Sequence, residues 1–105
     1  ALPVASGALR FDDEQCDVFF REHAAGLTRS EFRLLETLNR NDEEVLSKAF
    51  LYQHVLQRGY AAHDRSLDMH ISQIRRKLKA IGYTEREVRT VWGKGYVLSA
   101  ADESL

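Results

Sequence analysis

The chain holds a single cysteine, Cys16, in 105 residues. That excludes an internal disulfide and fits a reducing compartment, with the cytoplasm as the expected location. No apolar run approaches the ~20 residues that a helix needs to cross a bilayer, so no membrane contact is expected. The opening ALPVASG has neither the basic start nor the long apolar centre of a signal peptide. Its Ala, Pro, Ser and Gly read as a linker remnant over 1–7, with something preceding it in the native chain. No repeat or low-complexity segment appears. Neither sign of charge dominates either: 15 Lys plus Arg stand against 16 Asp plus Glu, a formal net charge of −1. A basic domain is the usual footprint of nucleic-acid binding, so this average argues against it.

The chemistry of an enzyme or a metal centre is equally thin. Cys16 with His23 or His54 has the composition of a nucleophile and base, but Cys16 alternates with Val18 and Phe20 on an apolar face and reads as a buried structural cysteine. His63 and His70 lie seven apart without an identifiable third ligand, and no HExxH or CxxC spacing occurs, so no metal or other cofactor is expected. The Gly93-Lys94-Gly95 run belongs to a hairpin turn and precedes no helix, so it is not a phosphate-cradling loop. No catalytic residue is assigned.

What the chain does have is an uneven distribution of charge. Residues 11–44 hold ten acids and four bases, net −6; residues 63–96 hold eight bases and four acids, net +4. Chance clustering is one explanation. The other is a dipolar molecule that presents one end to phosphates and holds the other away. At this length one domain with one core is expected.

The stretch DRSLDMHISQIRRKL, Asp64 to Leu78, favours the second explanation. At about 100° per residue, Leu67, Ile71, Ile74 and Leu78 fall within a sector of roughly 60°, the stripe of a buried helix. Arg65, Ser66, Met69, Ser72, Gln73 and Arg76 cover the opposite side. That outer face has guanidiniums, an amide, two hydroxyls and a thioether, and no carboxylate. Fork donors, amides and small apolar tips read base edges in a major groove, whereas an ordinary solvated helix face mixes Glu with Lys.

The rest reads as an α+β domain. Short strands alternate over 8–27, with turns at DDEQ and REH. Thr28 to Glu31 forms a capping box for a first helix whose stripe is Phe32, Leu35 and Leu38, with Leu34 beside it, ending near Asn39–Asn41. Ser47 caps a second helix in which Phe50, Leu51, His54 and Val55 share a face, ended by Gly59. The third helix runs over about 64–80, opened by His63 and Asp64 and followed by Gly82. Two β-rich runs flank the Gly93 and Gly95 turn, a hairpin over 88–98.

The segments LTRSEFRLLETL, DRSLDMHISQIRRKL and VRTVWGKGYVL, in that order, resemble the DNA-binding effector domain of the OmpR/PhoB family of bacterial response regulators. The resemblance covers 8–99, with 100–105 as a C-terminal tail. It implies a winged helix-turn-helix: a four-stranded N-terminal antiparallel sheet on three helices, the third in the major groove and the C-terminal β-hairpin as a wing in the minor groove. It implies sequence-specific binding of double-stranded DNA with direct-repeat half-sites by a head-to-tail dimer, an upstream receiver domain in a two-component system, and RNA polymerase as a partner.

Residue by residue, Asp64-Arg65-Ser66 matches the start of the family's recognition helix, where the Arg and hydroxyl meet backbone or bases. Met69-His70-Ile71 matches as well, with His70 near phosphate. Ser72 and Gln73 stand where relatives often have Arg, which implies contact with different bases. Arg75, followed by Arg76, matches the basic ending of the helix. Lys48 matches a phosphate contact at the start of the second helix, and Thr90, Gly93, Gly95 and Tyr96 match the hairpin motif. Two positions depart from the pattern. Trp92 replaces the Arg that enters the minor groove, so it either packs on sugars or stabilises the hairpin, with Lys94 left to carry charge. Leu56 replaces a Trp that touches phosphate. A winged-helix protein-interaction module without DNA binding is the alternative that the net charge favours; RNA binding lacks an exposed aromatic platform on the helix.

Overall fold

The computed structural model describes residues 9–41, 43–57, 66–84 and 86–100. Three short strands come first, β1 (Arg10–Asp12), β2 (Asp17–Phe20) and β3 (His23–Ala24), antiparallel and in that order across the sheet. Asp12 opens the first turn by accepting from the backbone N–H groups of Glu14 and Gln15 at 2.9 and 3.1 Å, the local bonding that suits Asp to turns. The alternation predicted from Cys16 onward holds only for Val18 and Phe20, which are buried. Cys16 lies in the turn with φ 53, and its thiol is 3.6 Å from the Asp13 carbonyl. It is half-buried at the edge of the core, not a fully buried cysteine. Among the described residues this sheet has three strands where the resemblance implies four; residues 1–8 lie outside the description.

Helix α1 (Arg29–Arg40) begins at the predicted capping box. The Glu31 amide donates to Thr28 Oγ1 at 3.2 Å, and the Thr28 amide donates to Glu31 Oε1 at 3.1 Å. Phe32, Leu34, Leu35 and Leu38 are all buried. Helix α2 (Lys48–Leu51) starts at Ser47, whose hydroxyl accepts from the Phe50 amide at 3.1 Å. It then passes into a π-helical turn, Tyr52–Leu56, and stops at Gln57 with φ 58. This corrects two expectations. The helix ends before Gly59, which lies outside the described residues. The buried face also differs from the predicted one: Leu51, Tyr52 and Val55 are buried, while Phe50 and His54 are exposed and stack on each other, ring centroids 5.2 Å apart.

Helix α3 (Ser66–Ala80) buries Leu67, Ile71, Ile74 and Leu78, each at 4% exposure or less, as its periodicity predicts. Its predicted opening at His63 and Asp64 lies outside the described residues. The helix closes with the Gly82 amide on the Lys79 carbonyl and the Tyr83 amide on the Leu78 carbonyl, both 3.0 Å. Gly82 has φ 83. This is the Schellman arrangement, in which glycine avoids the Cβ clash of a left-handed residue. Tyr83 then turns inward, its ring edge-on to Phe20 at 5.2 Å.

Strands β4 (Arg86–Val91) and β5 (Gly95–Ala100) form the hairpin, in register from Arg86↔Ala100 to Val91↔Gly95. It is longer than predicted at both ends, and Ala100 belongs to the strand instead of the tail. The Lys94 amide donates to the Val91 carbonyl at 2.9 Å, with Gly93 at φ 77 in the turn. The base of β5 is stitched to the lead into α2: Leu46 and Tyr96 exchange two backbone hydrogen bonds, 2.8 and 3.0 Å. Side chains from all three helices and both sheets meet in one core that includes Phe20, Leu35, Tyr52, Ile74, Val88 and Leu98. The architecture is a winged helix-turn-helix.

Gly95 makes the stitch possible. A Cβ there would lie 1.9 Å from the Leu46 carbonyl oxygen, so the two backbones meet only over glycine. Gly95→Ala is expected to cost about 1–3 kcal/mol, the range for overpacking a close contact. Gly93→Ala meets open space and carries only the backbone cost of its φ. The urea midpoints of the two variants measure the difference, which should place Gly95→Ala clearly lower.

Candidate nucleic-acid interface

The outward face of α3 is defined by which of its charged side chains neighbouring elements engage: its single acid, Asp68, and two of its bases are partnered. Asp68 accepts from the Tyr96 hydroxyl on β5, and its carboxylate lies 3.5 Å from Lys48 Nζ at the start of α2. Burial, reinforced by that hydrogen bond to Asp68, holds the Tyr96 hydroxyl well above its ordinary titration range, so it remains a donor. Lys77, in the predicted basic run, points inward: its Nζ is 2.7 Å from Glu31 Oε1, the capping-box acid of α1, which is 4% exposed at its side chain. Breaking one partner of such a buried pair costs about 3–5 kcal/mol. Lys77 is therefore a tether between α1 and α3.

Arg75 is held as well. Its Nε donates to the Val88 carbonyl and its Nη2 to Thr90 Oγ1, both at 2.8 Å. One planar fork thus spans two acceptors on β4, and helix and wing are joined edge to edge. At the other end of α3 the Leu67 amide donates to the Tyr52 hydroxyl at 3.3 Å, which satisfies one of the free N–H groups of the first turn.

What remains facing outward is Met69, 63% exposed, with Ser72 and Arg76 exposed and Gln73 half-buried beside them. Arg76 Nη2 donates to Gln73 Oε1, so these two side chains form a pair. Ser66 and His70 are half-buried on the flanks, and Lys79 is exposed toward the helix end. Thr90 and Lys94 are exposed on the wing, and Trp92 stands at its tip at 89% exposure. The hairpin-stabilising alternative for Trp92 is thereby corrected: an indole in solvent packs against nothing. Arg65 lies outside the described residues. Among the predicted site residues, then, Lys48, Arg75 and Thr90 are partnered within the domain, while Met69, Ser72, Arg76, Trp92 and Lys94 are the ones most open to a ligand. Sequence reasoning missed Asp68, Glu31 and Tyr96 as the groups that shape the face. The capping box and the hairpin motif flagged Glu31 and Tyr96, but helical spacing carries no signal for their long-range partners. Among the described residues no group of three His, Cys, Asp or Glu is placed to hold a metal.

Comparison with known proteins places this geometry. Residues 22–98 match the family model described as "Transcriptional regulatory protein, C terminal". The transcriptional activator protein PfeR of Pseudomonas aeruginosa is 47% identical over 100 residues, covering 92% of this chain and 33% of PfeR. The DNA-binding domain of CpxR from E. coli superposes with TM-score 0.80 at 30% identity, covering 97% of this chain and all of that one. The DNA-binding domain of RstA from Klebsiella pneumoniae, solved with the RstA box, gives TM-score 0.74 at 25% identity over 91% of this chain and 95% of that one. The chain belongs to the transcriptional regulatory C-terminal family and is a winged-helix effector domain of the response-regulator type. It spans a third of the length of PfeR.

The Arg75 fork generates a prediction separable from affinity. Arg75→Ala should lower stability by about 0.5–1.5 kcal/mol, the net value of ordinary hydrogen bonds, and should speed amide hydrogen exchange in β4 and β5 more than in α1. Arg75→Lys should not restore protection, because an ammonium does not reproduce the planar fork. Full rescue by Lys would mean that the charge alone holds the wing.

Proposed function

We propose that this domain binds duplex DNA sequence-specifically, with α3 in the major groove and the hairpin as its wing, as the effector part of a two-component transcriptional regulator. The observation that carries this is the acid-free outer face of α3, from which Asp68 has been drawn aside to Tyr96 and Lys48. Arg76 presents a fork suited to guanine O6 and N7, and Met69 an apolar tip suited to the thymine methyl group. Gln73 occupies a position from which an amide pairs with adenine, but its oxygen is engaged by Arg76. The two therefore act together: either Gln73 steers the Arg76 fork, or Arg76 releases it on contact with DNA. Ser66, Ser72 and His70 flank this centre. Lys48, Arg65, Arg75, Thr90 and Lys94 are proposed to touch the phosphates or the neighbouring bases.

The family match supports extending this to the whole regulator. A receiver domain upstream supplies most of the dimerisation, two effector domains lie head to tail on direct repeats, and RNA polymerase is the downstream partner. The acidic 11–44 region and the basic 63–96 region are complementary surfaces for a head-to-tail contact. The cytoplasm is the proposed location; no described helix is long and apolar enough to cross a membrane. The role is binding, and no catalytic step is assigned.

Arg76→Ala should weaken specific binding by about 1–3 kcal/mol, the value of a bidentate base contact. Gln73→Ala should change base preference at one or two positions of the site, and the double variant should cost less than the sum of the single ones. Fluorescence anisotropy on the duplex recovered from a random pool measures all three. Unchanged affinity in Arg76→Ala, with the fold intact, would remove α3 as the reading element.

Duplex spacing tests the tandem arrangement. Half-site centres should lie about 10–11 bp apart, one helical turn, so that both α3 helices face one side of the duplex. Five additional base pairs should abolish any cooperativity between the two domains in a gel-shift titration. Equal cooperativity on both duplexes would show that the domains bind independently.

A further inference from the structure

Ion pairs such as Arg40 with Glu36 and Arg89 with Glu87 stay within one element. The pair of Lys48 and Asp68 is different. It joins the first residue of α2 to α3, with Nζ 3.5 Å from Oδ1. Asp68 is the single acid of α3 and directly precedes Met69 on its reading face. Its carboxylate is not free to follow Lys48. The same Oδ1 accepts from the hydroxyl of Tyr96, a buried residue. The Tyr96 backbone in turn exchanges two hydrogen bonds with Leu46, two residues before Lys48. The Lys48 ammonium also lies over the Tyr96 ring, 5.9 Å from its centroid, within reach of cation–π attraction. Groups on α3 and β5 thus hold the end of a long, flexible side chain at one point, and that point is fixed relative to α3. The Lys48 and Asp68 side chains are 36% and 39% exposed, so a duplex can reach both.

We infer that Asp68 is a positioning residue for specificity: by clamping Lys48 against α3, it makes a phosphate contact depend on the register in which α3 reads the bases. A phosphate contact by itself carries no sequence information. An ammonium free on its four-carbon stem finds a phosphate in nearly any register of protein on duplex. The same ammonium held beside α3 meets one only where the duplex sits as the base contacts require. To follow a displaced phosphate it must leave Asp68, and the carboxylate then stands uncompensated against the DNA backbone. The clamp therefore acts mainly against wrong complexes. Discrimination is a difference of affinities, and a penalty on the competitor serves it as well as a gain for the correct site. The single acid beside the reading face is then a working part of it, and Tyr96 is the group that keeps the acid in place. This rests on the duplex-binding function proposed above, with Lys48 among its phosphate contacts.

The test compares a duplex recovered from a random pool with a scrambled duplex of the same composition. Each is titrated with the chain by fluorescence anisotropy over a range of salt concentrations. Asp68→Asn keeps an acceptor for the Tyr96 hydroxyl and removes the charge. It should tighten binding to the scrambled duplex by up to about fivefold, the weight of an exposed ion pair. It should also steepen the salt slope on that duplex by about one unit, as Lys48 joins the phosphate contacts. The slope on the recovered duplex should stay as it was, so the affinity ratio between the two falls. With Lys48→Met already present, Asp68→Asn should leave the ratio unchanged, because no ammonium remains to be released. Lys48→Met alone should weaken the recovered duplex more than the scrambled one. That variant decides the matter where the urea midpoint shows Asp68→Asn to be unfolded. An unchanged ratio in folded Asp68→Asn, or the same fall in ratio with Lys48→Met present, would reduce Asp68 to a general charge effect and overturn the inference while duplex binding stands. Equal weakening of both duplexes by Lys48→Met would do the same. If anisotropy detects no complex with either duplex, the duplex-binding function falls and the inference falls with it.

Discussion

Tyr96 is the residue on which the arrangement of the reading elements depends. Its backbone pairs with Leu46 ahead of α2, its hydroxyl donates to Asp68 on α3, and Lys48 lies over its ring at 5.9 Å. Three elements distant in sequence meet at one half-polar side chain. The ring is 4% exposed, so the junction combines apolar burial with a charge-assisted hydrogen bond, which is stronger and more directional than a neutral one. The glycine before it follows from the same contact, since β5 approaches Leu46 too closely for any Cβ. Tyr96 thus orients the wing relative to α3 from inside, and Arg75 does so from the rim.

The same contacts shape the electrostatics. A net charge of −1 does not preclude phosphate binding if the acids near the reading face are already engaged. Asp68 is occupied by Tyr96 and Lys48, and Glu31 by Thr28 and Lys77. Glu87 lies 3.4 Å from Arg89 on the wing. If Lys48 is one of the phosphate contacts, as proposed, it would exchange a carboxylate for a phosphate on binding. That exchange lowers its net gain but holds the ammonium in position beforehand. Preorganisation of this kind trades some Coulomb energy for a smaller ordering cost on association.

Much of this was legible in the sequence, and the reasons differ by element. The α3 stripe and the α1 capping box were readable because both are local: a 3.6-residue period and a three-residue reciprocal contact need no knowledge of the rest of the chain. The hairpin was readable from its glycines, although its length was not, because strand ends depend on which neighbours continue the ladder. The α2 region failed for a physical reason. Phe50 and His54 are four apart, as are Leu51 and Val55, but at about 100° per residue the buried Leu51, Val55 and Tyr52 centre about 130° from the exposed Phe50 and His54, and four-residue spacing alone does not say which pair faces the core. Strand alternation does not reach Cys16, because that residue lies in a turn at φ 53. In the basic run Arg75, Arg76, Lys77 and Lys79, four similar residues have three fates. Lys77 is an internal tether, Arg75 a clamp on the wing, and Arg76 and Lys79 remain outward. Only the tertiary positions of Glu31, Val88 and Thr90 separate them.

Buried charge in this fold specifies geometry more than it adds stability. An apolar pair in place of Glu31 and Lys77 would fill similar volume at similar or lower free energy, but it would slide. The ion pair fixes the height of α3 against the start of α1, because the Glu31 Oε1 that Lys77 reaches also accepts from the Thr28 amide. Arg75 adds a second constraint at β4 and Tyr52 a third at the first turn of α3. A helix constrained at three points along 15 residues cannot rotate its outer face independently of the wing. Base-edge recognition demands this, since a hydrogen bond weakens steeply away from its preferred direction. A reading surface only two or three side chains wide discriminates between base pairs only if those side chains arrive in register. The polar contacts beneath α3 therefore serve recognition through the orientation they impose, although none of them need touch a base.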